Sequence, residues 1–205
     1  MNTNENLSPE RSIEIIGEMI EKTRLNVARS SGTPLIIWGC LTTITAAAVG
    51  ILWTLTGSPI WNLLWLAMML IGWGYIFTTS IKGKKTKIQK PVTFVNKVLE
   101  YVWLTFGVSC FAIIAFNNIN SFVEGSLMMP YTPTIMLLMA FATTITALVL
   151  KLGNCFVFIG GSFIFILFSM WYPGSYEMFC LAMQSVFLLI IPGLIINSRV
   201  RKGLL

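Results

Sequence analysis

In this chain, chemistry would have to come from polar side chains set inside long apolar runs. The run Thr42-Thr43-Ile44-Thr45-Ala46 recurs 101 residues later as Thr143-Thr144-Ile145-Thr146-Ala147, and each copy follows a Thr-Pro step, Thr33-Pro34 or Thr132-Pro133. If the two halves of the chain are inverted in a bilayer, these hydroxyls would meet near mid-depth, as in several transporter folds. Chance in an alphabet of few residue types is the simpler account, because the apolar runs that follow the two copies share no comparable match. Gln184 is the strongest other polar candidate at depth, and its amide is expected to hydrogen-bond a neighbouring helix. Proton- or sodium-coupled transport normally also uses a carboxylate at depth. Here Glu100 and Lys151 fall near the ends of apolar runs, so only hydroxyls and backbone carbonyls remain for a cation.

The absence of His and Asp from the whole chain excludes imidazole catalysis, histidine metal ligation and aspartate proton relays. Cys40, Cys110, Cys155 and Cys180 stand in different apolar runs with no C-x-x-C pair, so neither a zinc site nor a redox motif is suggested. They are expected to pack as small residues. Glu100 has no catalytic companion, and the chain is expected to be non-enzymatic, without cofactor or metal.

Two charged stretches border the apolar part. Lys82, Lys84, Lys85, Lys87, Lys90 and Lys97 form a run of lysines without an acid. Such a run reads as a topology signal drawn to anionic headgroups by about 1 kcal/mol per residue. It has no interleaved arginines and no recognised module, so no nucleic-acid partner is expected. Ahead of the first apolar run, Ser8 with Pro9 and Glu10 reads as a helix start, and Gly32 with Pro34 as a stop. Between them Ile13, Ile16, Ile20, Thr23 and Val27 recur every three or four residues, while Glu14, Glu18, Glu21, Lys22 and Arg29 lie largely elsewhere on the wheel. This predicts an amphipathic helix, lying against the bilayer in the first reading. A lipid-binding face is normally rich in Lys and Arg, whereas this helix is balanced in charge, and docking onto a cytosolic protein through Ile13, Ile16, Ile20 and Val27 is the second reading. A third places its acidic half over the lysine loop, through exposed pairs of small individual worth.

Positioning these groups requires a membrane. Of 205 residues, 56% are hydrophobic and 11% charged, far below the roughly 25% charge of soluble domains. Runs of about 20 apolar residues, enough for roughly 30 Å of hydrocarbon, recur along the chain. They predict an all-α polytopic protein with about six spans, near 34–56, 59–81, 98–120, 131–151, 152–171 and 176–197, after a cytosolic helix over 1–33 and before a basic tail over 198–205. A tight hairpin is expected around Lys151, Gly153 and Asn154. Gly72 with Gly74 and Gly160-Gly161-Ser162 are expected to let helices approach closely, and Pro192-Gly193 to bend the last span.

Orientation follows from the bases. With six spans, every Lys and Arg falls on one side, and the three other loops hold only Glu124 and Glu177 as charges. The positive-inside rule then puts both termini in the cytoplasm. The opening residues are not those of a cleaved signal peptide, so the first span is expected to be an uncleaved anchor.

A helix running into Trp38-Gly39, and an end made of Ile191-Pro192-Gly193, Asn197 and a basic tail, resemble small uncharacterised bacterial six-span membrane proteins. That resemblance implies an inner-membrane architecture and no mechanism. The helix over 8–30 and the loop over 82–97 are also similar in placement to elements of ABC-2-type permease subunits, although the connection over 171–177 is too short for the re-entrant helices of those permeases. The leading expectation is a regulatory, sensing or assembly role, with the bilayer and a cytosolic protein as partners. A small transport subunit is the alternative. Self-association through Gly-rich faces is compatible with either, with no copy number fixed.

Overall fold

The computed structural model describes residues 9–85, 94–125 and 129–202, and every regular element among them is helical. Helix α1 covers Pro9–Thr56. A 3-10 turn at Pro59–Leu63 leads into α2, Leu64–Lys85. Next come α3 (Phe94–Glu124), α4 (Tyr131–Val149) and α5 (Cys155–Trp171). The last rod is composite: α6 (Ser175–Ser185), a π-turn (Val186–Ile190) and α7 (Ile191–Lys202).

Five stretches are long and apolar enough to cross a membrane: Ser31–Thr56, Pro59–Thr78, Phe94–Val123, Tyr131–Val149 and Ser175–Lys202. The sixth apolar helix, α5, has 17 residues and rises about 26 Å, slightly less than a typical hydrocarbon core. The chain is thus an all-α protein with the helices of a multi-pass membrane protein.

The expected stop at Gly32 and Pro34 does not occur; α1 runs unbroken through 48 residues with Pro34 inside it. Proline removes one backbone donor and normally weakens a helix at this point. Here tertiary contacts bracket it. Gly32 lies against Asn197 and Ile196 of α7, and Gly193 lies against Ile36 and the Gly32 carbonyl, so α7 braces α1 on both sides of the proline. The third span, expected to end near 120, also runs further, because α3 continues to Glu124. Buried Asn117 makes this extension affordable: its amide donates to the Met129 carbonyl at 3.0 Å and its Oδ1 accepts from the Met129 N–H at 3.1 Å.

The expected hairpin between α4 and α5 is present as a five-residue turn over 150–154. It is a Schellman turn, in which the Leu152 N–H bonds the Ala147 carbonyl and the Lys151 N–H bonds the Leu148 carbonyl. Lys151 occupies the left-handed position with φ 51°, where glycine is usual. Leu150 and Leu152 on either side are buried and hold it there.

The core lies where α1 meets α6 and α7, and where α4 meets α5 and α6. Ala46, Met136, Ala140, Leu188 and Ile196 fill it. Helices α2 and α3 sit at the edge, showing Leu70, Phe77, Phe111 and Phe116 outward, as hydrocarbon allows. In chain order the bases among the described residues fall before the membrane part of α1, at the end of α2 and the start of α3, in the 150–154 turn and at the end of α7.

Candidate functional site

Two regions carry polar or exposed groups that packing alone does not explain. One is the first part of α1, Pro9–Ser30, which continues the axis of the membrane stretch as a stalk about 33 Å long. Ile13 is 70% exposed and Met19 64% exposed. An unbroken helix cannot turn through the right angle that a bilayer-parallel segment needs, because smooth helix curvature is gentle and a proline kink is much smaller. At 1.5 Å per residue, Met19 stands about 18 Å and Ile13 about 27 Å before the apolar stretch begins at Ser31. Ile16, Ile20 and Val27 belong to the same helix, but their side chains lie outside the described residues, as do those of Lys82, Lys84 and Lys85 at the end of α2. Lys87, Lys90 and Ser8 also lie outside them, and Lys97 is exposed on the first turn of α3.

The other region is a polar seam between α1, α4 and α6. The Thr43 hydroxyl donates to the Gly39 carbonyl and lies 2.7 Å from the Ser185 hydroxyl across the helix pair. Ser185 also donates to the Ala182 carbonyl. Each hydroxyl has one hydrogen and a carbonyl to give it to, so the contact between them is a hydrogen bond only while one of the two turns its hydrogen away from its own carbonyl. Beside them Gln184, fully buried, donates through Nε2 to the Met136 carbonyl of α4 at 3.1 Å, as an interhelical bond was expected to. Its Oε1 is buried without a hydrogen-bond partner.

Immediately after this seam the helix widens. The Ile191 N–H bonds the Val186 carbonyl, one residue further back than an α-helix would. The cause is local: Pro192 offers no N–H and its ring crowds the carbonyl one turn before it, so the backbone widens instead of sharply bending. The expected bend at Pro192-Gly193 therefore takes the form of a π-turn one step earlier, and the helix continues to Lys202.

The threonine repeat does not meet itself. Thr43 reaches Ser185, and Thr42 and Thr45 are half-buried on α1, whereas buried Thr143 and Thr146 bond the Met139 and Ala142 carbonyls of their own helix. Thr144 does the same with Ala140. Helix α1 packs mainly on α6 and α7, and α4 on α5, α3 and α6, so the two copies serve different interfaces. Of the expected small-residue contacts, Gly72 lies under the Trp38 ring, a Cβ at Gly161 would meet only Phe187 at 3.9 Å, and one at Gly74 or Gly160 would meet nothing within 4 Å. The close approaches are Gly32, Gly39 and Gly50 of α1 with α6, the π-turn and α7, and Gly193 in return. Their spacing along α1 was readable, but their partners lie over a hundred residues away in sequence.

The four cysteines are free thiols on four different helices, Cys110 and Cys155 buried and Cys40 and Cys180 half-buried. Between α3 and α4 an open apolar groove of about 390 Å³ is lined by residues including Tyr101, Thr105, Ser109 and Phe141, with no charged group among them. Compared with known proteins, the chain matches no family model, and no curated protein or solved structure is significantly similar to it.

Proposed function

We propose that this is a non-enzymatic, six-span protein of a bacterial inner membrane, with both termini in the cytoplasm, that acts in regulation or assembly by engaging protein through its stalk. One observation carries the reading: α1 is a single helix from Pro9 to Thr56, so the exposed Ile13 and Met19 stand off the bilayer. Apolar side chains roughly 20 Å out in water gain nothing from lipid. Covering them with protein is worth up to about 1.5–3 kcal/mol per fully buried side chain. With six spans every base falls on the stalk side, which supports a cytoplasmic orientation, through the depletion of Lys and Arg from translocated short loops.

The experiment is affinity purification in mild detergent of the intact protein beside a version lacking residues 8–30, with co-purifying proteins identified by mass spectrometry. A regulatory protein lost on deletion supports the reading, and an ATPase lost on deletion would replace it with the permease-subunit alternative. The three-residue link over 172–174 between α5 and α6 again leaves no room for the re-entrant helices of ABC-2 permeases. Orientation is tested separately: thiols introduced by Ser58→Cys and Lys85→Cys should label from opposite sides of the membrane, and same-side labelling would sink the topology.

A further inference from the structure

We infer that α1 pairs in parallel with α1 of a second copy of this chain, along a stripe that starts at Ile13 in the stalk and ends at Leu55 across the membrane. The inference rests on the stalk standing clear of the bilayer, and it names the protein that covers it.

The stripe comes from a heptad reading. With Ile13 at position a, the a sites of the stalk are Ile13, Ile20 and Val27 and the d sites Ile16 and Thr23. All three a residues are β-branched, which favours two parallel strands. In the same register Glu14, Glu18, Glu21, Lys22 and Arg29 fall at b, c and f, the positions outside the seam. Among the flanking e and g sites, Ser12, Gly17, Met19, Arg24, Asn26 and Ser31, only one is charged, so two parallel copies meet no row of like charges.

A straight helix would drift about 20° per heptad away from this register, but wound left-handedly around its copy at 3.5 residues per turn the unbroken α1 carries it on through the membrane, where it reaches Ile44 and Ile51 at d and Leu55 at a. These are 67%, 50% and 77% exposed. The opposite face, positions b and f, holds Gly32, Leu35, Gly39, Ala46 and Val49, all buried and packed mainly towards α6, the π-turn and α7. The chain thus uses one face of α1 for its own core and leaves Ile13, Pro34, Ile44, Ile51 and Leu55 of the other exposed, with Ile37, Leu41 and Ala48 half-buried between them. Copies inserted with the same topology present this face in the same direction, so a parallel pair is the arrangement membrane insertion supplies. Two heptads in water are too short to hold together alone, but tethering by the membrane part makes the stalk contact effectively intramolecular.

The test is disulfide crosslinking in native membranes after mild oxidation, with the unsubstituted protein as the background for its own thiols. Ile20→Cys in the stalk and Leu55→Cys at the far end of α1 are expected to give a dimer band absent from the parent. Glu18→Cys and Lys22→Cys, on the outward stalk face, are expected to give none. Equal bands in and out of phase, or a band at 20 but not at 55, would overturn the pairing along α1. Ile16→Glu combined with Ile20→Glu is expected to abolish the Leu55→Cys band while the protein still inserts; persistence of that band would remove the stalk from the interface. Absence of the dimer together with a cytosolic protein still lost on deletion of 8–30 would leave the stalk reading standing and this inference refuted.

Discussion

At Gly193 the backbone of α1 leaves no room for a Cβ, and its replacement by alanine tests the packing of α1 on α7 directly. A Cβ there would lie 2.9 Å from the Gly32 carbonyl oxygen and 3.2 Å from the Ile36 backbone nitrogen, with the Ile36 Cγ1 at 2.7 Å. A side chain could rotate away, but two of these obstacles are backbone, so the helices themselves must part. Overpacking of this kind costs about 1–3 kcal/mol. Alanine recovers about 1 kcal/mol over glycine in a helix interior, which leaves a net loss of about 0–2 kcal/mol, against a net gain at a site with room for the methyl group. Gly160→Ala is the matched control, since nothing lies within 4 Å of its Cβ, and it should be neutral or stabilising by up to about 1 kcal/mol. Reversible unfolding in mixed micelles of mild detergent and dodecyl sulfate, followed by tryptophan fluorescence, reads both. If Gly193→Ala proves as stable as Gly160→Ala, α1 and α7 do not touch as described, and the bracing of Pro34 goes with that contact.

Five further substitutions, at four positions, probe the polar seam and the hairpin. Thr43→Val and Ser185→Ala, singly and together, should show a coupling of about 0.6 kcal/mol and at most about 1.7 kcal/mol, the range of interhelical hydrogen bonds in membranes; additive effects would deny the hydroxyl pair. Gln184→Met should match the parent or exceed it by up to about 1 kcal/mol, because the lost bond to Met136 is offset by removing a buried acceptor whose unmet cost is about 1–3 kcal/mol; a clear loss in the same unfolding assay would mean that Oε1 has a donor. Lys151→Gly should stabilise by about 0.5–1 kcal/mol by relieving a left-handed residue, and Lys151→Val should destabilise, since a β-branched side chain tolerates that conformation worst.

The long apolar runs and the hairpin at Lys151 were legible because they depend on local composition and on a turn confined to a few residues. What sequence alone misplaced depends on distant partners. Gly32 and Pro34 are sound stop signals by local propensity, and they are overridden because Asn197 and Gly193 pack against that stretch from the other end of the chain. The third span reads as ending near 120, short of Glu124, for the same reason: nothing local announces that Met129 will satisfy Asn117. The amide of Gln184 was predicted to bond another helix and does, but which helix, and that one oxygen would be left over, followed from the packing of α6 on α4. The threonine repeat taught the opposite lesson. Identical strings landed on helices with different neighbours and so make different bonds.

Helix α1 links these observations, because its two faces answer to different solvents. On the b and f face, charge in the stalk gives way at Gly32 to small residues that admit α7, the π-turn and α6. On the a and d face, β-branched residues in the stalk give way to Ile44, Ile51 and Leu55 facing outward in the membrane. A break at Pro34 would let each half choose its own rotation, and neither stripe would need to keep register across it. Continuity removes that freedom. Any turn of the stalk about its axis must also turn Thr43 against Ser185, one step from the π-turn where the backbone ladder is already interrupted by Pro192. A protein that gripped the stalk would therefore act on the polar seam through a rigid rod, and the seam sits beside the least regular stretch of the helix it opposes.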